Sequence, residues 1–371
     1  MDTRIIALIE KHKKQLDDKN EQTTYKIKYI TSYVKNWLIV MSNAKHTENI
    51  NFIDCMCNAG IYKDGDFCTA ICVLKMFKDF AQSFPNKKYC LYINDKSNER
   101  LCIFKELAEI LFEGKIPENM KLYCNNEDVN KYIEILTTND SLFGFPNSTI
   151  LFVDPYDFGT VHIPTLKSFA EKYYCEIIFN VFTSDFVRNK MDKRIKAAID
   201  DDKAEIKTKE ELVDYIVSQL KVNKMKYSFQ YEFRIATNVE LYQIMFLTPS
   251  PKGLDELKNA LWDTFKGSLF HRNHKQNNDN MLQMSLFSEN DDIQERLKYY
   301  ASEAKNYLKL YYKDKILSYE EICDIILPIS MLKSTHIVNE LIKPSITSGE
   351  MQKLNKTANK TNYKKDFYKI N

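Results

Sequence analysis

Glycine is scarce in this chain, eight residues in 371, and none of them forms a Walker-type phosphate loop. Each glycine that falls in a loop is correspondingly more informative. There is no run of about 18 apolar residues, so no membrane-spanning helix is expected. The amino terminus, Met1-Asp2-Thr3-Arg4, lacks a secretory pattern. Neither charge dominates: 53 Lys and Arg stand against 51 Asp and Glu, a net +2. The molecule is therefore not a polycation, and any nucleic-acid contact has to come from local patches.

Metal and disulfide chemistry are also poorly provided for. The nine cysteines are an odd number scattered through apolar segments, which points to reduced thiols and a cytoplasmic location. Cys55, Cys57, Cys68 and Cys72 come nearest to a metal pattern, but C-x-C followed by C-x3-C is not zinc-ribbon spacing. The six histidines are dispersed without H-E-x-x-H spacing, and no Ser/His/Asp order is legible. No metal site is expected, and no internal repeat is visible.

What is present is an ordinary globular composition, 44% hydrophobic and 28% charged, long enough for two domains. Residues 3–16 and 24–41 read as helices; the second repeats Tyr25, Ile27, Tyr29, Ile30, Tyr33, Val34, Trp37, Leu38 and Met41 at helical spacing. Short apolar runs at 50–56, 89–93, 121–124, 148–153 and 176–182 then alternate with helical stretches at 69–80, 98–112, 129–136 and 163–172. This alternation predicts a parallel sheet with helices on both faces and a ligand site beyond the carboxyl ends of the strands. A charged helical region (185–222), two strands (229–235 and 239–248) and a helix with Trp262 follow. Residues 271–292 are polar and read as a linker. Three helices over 293–312, 319–326 and 331–342 fit a helix-turn-helix or winged-helix module, followed by a basic tail at 353–371.

Candidate site residues cluster at strand ends. Residues 150–159, Ile-Leu-Phe-Val-Asp-Pro-Tyr-Asp-Phe-Gly, are the sharpest signal. Asp154 and the Pro155 carbonyl can accept hydrogen bonds from an exocyclic amine, and Tyr156 can stack on a flat ring. Upstream, Asn51–Gly60 is a strand and tight loop in which Asp54, Cys55, Asn58 and Gly60 can approach a ligand. Asp95, or Asn94 beside it, stands where a ribose diol is commonly gripped. Asp128 can meet an adenine amino group. A helix-capping role is the alternative for Asp95 and Asp128. Together these suggest a methyltransferase-like nucleotide site, with transfer onto a nucleic-acid base.

The landmarks resemble those of the three-Cys-motif partner (TcmP) proteins over roughly residues 20–270. They are Tyr33 and Trp37, Phe52-Ile-Asp54-Cys-Met-Cys-Asn58-Ala-Gly60, Leu151-Phe-Val-Asp154-Pro155-Tyr156, Asn180, and Tyr242–Phe246 followed by Leu254–Trp262. Asn58 stands where that family has its first loop glycine, and the second proline of an Asp-Pro-Pro-Tyr motif is missing. The resemblance implies a Rossmann-like class I fold, α/β, using S-adenosylmethionine, often with a C-terminal winged helix. It also implies a radical-SAM-like neighbour as partner.

The expected plan is a methyltransferase domain over 1–270, a linker over 271–292, a helical or winged-helix domain over 293–352 and the tail. Asp154, Pro155 and Tyr156 would position the acceptor; Asp54, Cys55, Asn58, Gly60, Asn94, Asp95 and Asp128 would hold the donor. The alternative is a catalytically degenerate subunit that binds nucleic acid or the partner protein. Within the linker, Gln283-Met284-Ser285-Leu286-Phe287 resembles peptides that engage the bacterial sliding clamp. The lysines of the tail, interleaved with Tyr363, Phe367 and Tyr368, can contact phosphates and bases.

Overall fold

The computed structural model describes residues 2–113, 115–139, 143, 146–189, 193–199, 206–222, 224–273, 289–354 and 363–371. They divide into two compact units, one within Met1–Ser250 and Phe270–Asn273, the other within Pro251–Leu269 and His274–Asn371.

The first unit opens with α1 (Thr3–His12) and α2 (Glu21–Asn43). Asn20 starts α2 by accepting the Thr23 N–H at 2.8 Å, and the apolar stripe expected on this helix is buried from Tyr29 to Leu38. Then follow β1 (Asn49–Asp54), α3 (Thr69–Ser83), β2 (Lys88–Asn94), α4 (Asn98–Phe112), β3 (Met120–Asn125), α5 (Val129–Thr137), β4 (Ser148–Val153), α6 (Ile163–Lys172) and β5 (Cys175–Val181). Helices α7 (Thr183–Asn189), α8 (Lys193–Ile199) and α9 (Lys209–Leu220) precede a hairpin of β6 (Tyr227–Arg234) and β7 (Glu240–Thr248). A short strand, β8 (Phe270–Arg272), completes the sheet.

The strand order is β3-β2-β1-β4-β5-β7-β6-β8. Strands β1 to β5 are mutually parallel, β7 runs antiparallel to both β5 and β6, and β8 is parallel to β6. The chain builds outward through β2 and β3, then returns to lay β4 on the other side of β1. That reversal makes the β1/β4 junction the switch point of a Rossmann-like sheet, where the two crossovers part and leave a crevice. β1 and β4 are almost wholly buried, as strands covered on both faces must be. Inside the core, Glu176 accepts hydrogen bonds from the Tyr33 and Thr248 hydroxyls, the latter at 2.8 Å.

The second unit contains α10 (Pro251–Phe265), α11 (Glu289–Tyr312), β9 (Ile316–Ser318), α12 (Tyr319–Ile329), a continuous helical stretch over 334–347, β10 (Met351–Lys353) and β11 (Phe367–Ile370). Its three strands pair antiparallel in the order β10-β11-β9. The sequence reading placed the Trp262 helix with the first domain. Its side chains explain why it groups with the second: Trp262 Nε1 donates to the Met331 carbonyl at 2.7 Å, and Asp255 accepts from the Ser334 N–H and hydroxyl at 2.7 Å each.

Two other segments differ from expectation. The start of the expected linker is strand β8, aligned with Glu232–Arg234. The tail is built in: β11 is the central strand of its sheet, Tyr368 is fully buried, and Lys353 pairs with Asp366 at 2.6 Å. The peptide Gln283–Phe287 lies outside the described residues. No helix among the described residues is long and apolar enough to cross a membrane.

Candidate functional site

At the switch point, beyond the ends of β1 and β4, is a cavity of about 300 Å³, the lower end of the range for small-ligand sites. Its walls come from the α1–α2 connection and the start of α2 (Asp17–Ile27), the loop after β1, Tyr62, Cys68 and Thr69, the β4 end (Phe152–Tyr156), Phe182, and Leu241 and Tyr242. The charged side chains among them are Asp17, Asp18, Asp54, Asp154 and a single cation, Lys26. Three of the four acids are already paired, Asp17 with Arg100, Asp18 with Lys63 and Asp154 with Lys26, and Asp54 is the one with no ion-pair partner among the described residues.

Asp54 ends β1 and is 2% exposed. Among the described residues it receives one hydrogen bond, from the Met56 N–H at 3.1 Å. Burial pushes its carboxyl up to about 8; the Asp154 and Asp95 charges add to the shift, while the Met56 N–H and Lys26 oppose it.

The loop that follows is braced in two ways. Asn58 has φ 60°, a left-handed conformation that a short polar side chain tolerates. It donates its N–H to Asp95 at 2.9 Å and its Nδ2 to Asp17 at 2.7 Å. Gly60 has φ 85°, and a Cβ there would come within 3.0 Å of Ile71 and Phe104. Gly60 thus lets α3 and α4 close on the loop, and it does not line the cavity.

Asp154 is already engaged. Lys26 Nζ lies 2.8 and 2.6 Å from its two oxygens, and Asn180 Nδ2 donates to Oδ1 at 2.7 Å. Pro155 lines the cavity beside it. Tyr156 is on the rim, 60% exposed, its hydroxyl bonded by Arg100 and lying 3.4 Å from Asp17. Arg100 also donates to Asp17 at 3.0 Å. Asp17 thereby ties the α1–α2 connection to the β1 loop, to α4 and to the end of β4.

The structure gathers Asp54, Asn58, Asp154, Pro155 and Tyr156 around the cavity, and leaves Cys55, Gly60, Asn94, Asp95 and Asp128 off its walls. Cys55 is sealed in the core among Ile53, Tyr132 and Val153, because residues just past a strand end alternate between crevice and interior. Asn94 donates to the Cys55 and Glu127 carbonyls at 3.0 Å each and accepts the Glu127 N–H at 3.1 Å, a cross-link between strand ends. Asp95 is occupied by the Asn58 and Ser97 N–H groups. Asp128 caps α5 through the Asn130 N–H at 3.0 Å and lies 3.4 Å from Lys96.

Lys26, Asp17 and Arg100 escaped the sequence reading. A lysine in a helix usually belongs to a solvated face. Here one signal was available: Lys26 stands at positions i, i+3, i+4 and i+7 with Tyr29, Ile30 and Tyr33, on the apolar stripe itself.

No family model matches this chain, and no curated protein matches it. Solved structures do resemble it loosely. A spermidine synthase from Thermotoga maritima aligns at 12% identity and TM-score 0.35, covering 76% of this chain and 77% of that one. A predicted O-methyltransferase from Agrobacterium tumefaciens aligns at 8% identity and TM-score 0.30, covering 70% and 95%. A geranyl diphosphate methyltransferase, solved with geranyl diphosphate and sinefungin, aligns at 7% and 0.31, covering 58% and 77%. Likenesses this loose carry nothing about the site.

Proposed function

We propose that the chain is an S-adenosylmethionine-dependent methyltransferase that holds its donor in the β1/β4 cavity. The supporting observation is Asp54, a buried carboxyl at the switch point with one N–H donor and two acidic neighbours. Burial keeps such a group protonated until a cation arrives to stabilise its ionised form, and the wall around it holds three further acidic side chains, Asp17, Asp18 and Asp154. A donor bearing an ammonium and a sulfonium fits that demand. When bound, it supplies a methyl group on positively charged sulfur. Asp54 would take the ammonium, and the braced loop around Asn58 would shape the site.

For the acceptor we favour the exocyclic amine of a nucleic-acid base. Lys26 and Asn180 fix the Asp154 carboxylate while leaving Oδ2 a lone pair for an incoming N–H. The exposed Tyr156 ring can stack on a flat base. In duplex substrate that base would have to be flipped out. The element order from α11 to β11, with its three-stranded antiparallel sheet, supports a winged helix that would supply backbone contacts. Membership of the TcmP family, a radical-SAM-like partner and clamp binding through Gln283–Phe287 belong to the same proposal and rest on the sequence landmarks.

The competing view is a degenerate fold kept for binding. It is favoured by Asn58 in place of a loop glycine and by Lys26 sitting on the acceptor carboxylate. Isothermal titration with S-adenosylmethionine separates the two. Saturable binding, with transfer to single-stranded oligonucleotides abolished in Asp154→Ala at nearly unchanged donor affinity, is the expected result. No binding at millimolar donor would leave only the degenerate subunit.

A further inference from the structure

A second cavity, of about 520 Å³, lies over one face of β1, β2 and β3, from the turns that precede β2 and β3 to Tyr92 and Tyr123. Parallel sheets are ordinarily covered on both faces, yet this corner carries side chains suited to a ligand. Register places Asn51 beside Cys90 and Tyr92 beside Tyr123. The two tyrosine rings stack, with centroids 4.8 Å apart and planes 14° from parallel. Tyr92 is 4% exposed and shields one side of Tyr123, which remains 38% exposed. The Tyr92 hydroxyl is buried near the Cys90 thiol and has no other hydrogen-bond partner among the described residues.

The charges point to an anion. Lys87 is committed to the Ala44 and Thr47 carbonyls at 2.6 Å each. Lys88 and Lys121 line the cavity, and among the described residues neither forms an ion pair; Glu118 is the one acidic side chain of the lining. Asn49 uses its Nδ2 on Asn147 at 2.6 Å, which leaves its amide oxygen as an acceptor on the cavity wall. An exposed aromatic ring, two available ammonium groups and amide edges in one recess match a planar heterocycle joined to a phosphate.

We infer that this recess is a second ligand site, which takes a nucleoside monophosphate unit with its base on Tyr123 and its phosphate at Lys88 and Lys121. The unit can be a free nucleotide or one residue of a single strand. The site shares no lining residue with the first cavity, so it stands whether or not that cavity holds a methyl donor.

The test is titration of the full chain with adenosine 5′-monophosphate and, separately, with a short single-stranded oligodeoxythymidylate. Saturable binding is expected, weakened roughly ten-fold or more by Tyr123→Ala, since stacking on one aromatic ring contributes about 1–3 kcal/mol per base. The double variant Lys88→Glu/Lys121→Glu should weaken it without touching the ring. Tyr123, Lys88 and Lys121 all lie outside the lining of the first cavity, so a loss of binding on their substitution is assigned to this recess. Binding of the mononucleotide identifies a free nucleotide as the occupant; binding of the oligonucleotide alone identifies a strand. Failure of both probes to bind, or binding that survives both sets of substitutions, overturns the inference.

Discussion

A carboxyl sealed from water beside other acids makes stability depend on pH, and Asp54 is such a group. Folded, it keeps its proton up to about 8; unfolded, it loses it near 3.8, the ordinary value of an aspartate. Between these limits the folded state binds the extra proton, so its contribution is complete below pH 4 and is lost as the pH rises to 8. Asp54→Asn should therefore gain stability relative to the wild type as pH rises, and denaturant titrations at pH 5 and pH 8.5 measure this. Donor affinity should move the other way. A cation binds the ionised carboxyl, so affinity in the wild type rises with pH up to about 8 and is weak and flat in Asp54→Asn. A flat wild-type profile would detach Asp54 from the donor.

Lys26 and Asp154 make a second residue-scale case. Their side chains are 12% and 20% exposed and 2.6 Å apart. Removing one partner of a mostly buried pair strands the other charge, so Lys26→Met should cost about 3 kcal/mol. Adding Asp154→Asn should recover much of that loss, as a double-mutant cycle read by urea unfolding would show. Additive losses would mean that the pair does not interact.

At the scale of elements, the central strands were legible because buried parallel strands leave short apolar runs bounded by polar turns. Ser148–Val153 fell where its run suggested, and so did the helix through Tyr33 and Trp37. Short strands whose partners are distant were not legible. Phe270–Arg272 and Met351–Lys353 are three residues each, and only pairing with Glu232–Arg234 and with β11 makes them strands. The β1 loop shows how an element depends on its neighbours. Gly60→Ala would force a side chain into φ 85° against Ile71 and Phe104, so a loss of about 1–3 kcal/mol is expected in thermal unfolding. A neutral Gly60→Ala would mean that α3 and α4 can yield.

At the scale of the whole molecule, the end of the chain is structural. Tyr368 lies on the middle strand of the second unit's sheet and is fully buried. Tyr368→Ala should cost that unit about 3–5 kcal/mol and expose it to limited proteolysis, while the first unit stays resistant. In the first unit, Glu176 is pushed up to about 7 by burial, against the opposing Tyr33 and Thr248 hydrogen bonds. Its sign is that of Asp54: stability is lost between the ordinary carboxylate range and pH 7, and Glu176→Gln should remove that part of the slope.

Sequence alone determined the alternating α/β order, the strand ends that carry Asp54 and Asp154, and the absence of a recognisable metal motif. These follow from local periodicity and residue chemistry, which need no knowledge of distant contacts. Tertiary structure decided the rest. The reversal of strand order brings Asp54 and Asp154 to one cavity, while α2, 128 residues before Asp154, lays Lys26 upon it. Asn94, Asp95 and Asp128 look alike in sequence as polar groups at strand ends, but packing spends them on cross-links and a helix cap. A side chain's availability to a ligand depends on which backbone groups its neighbours leave unsatisfied, and only the folded chain sets that.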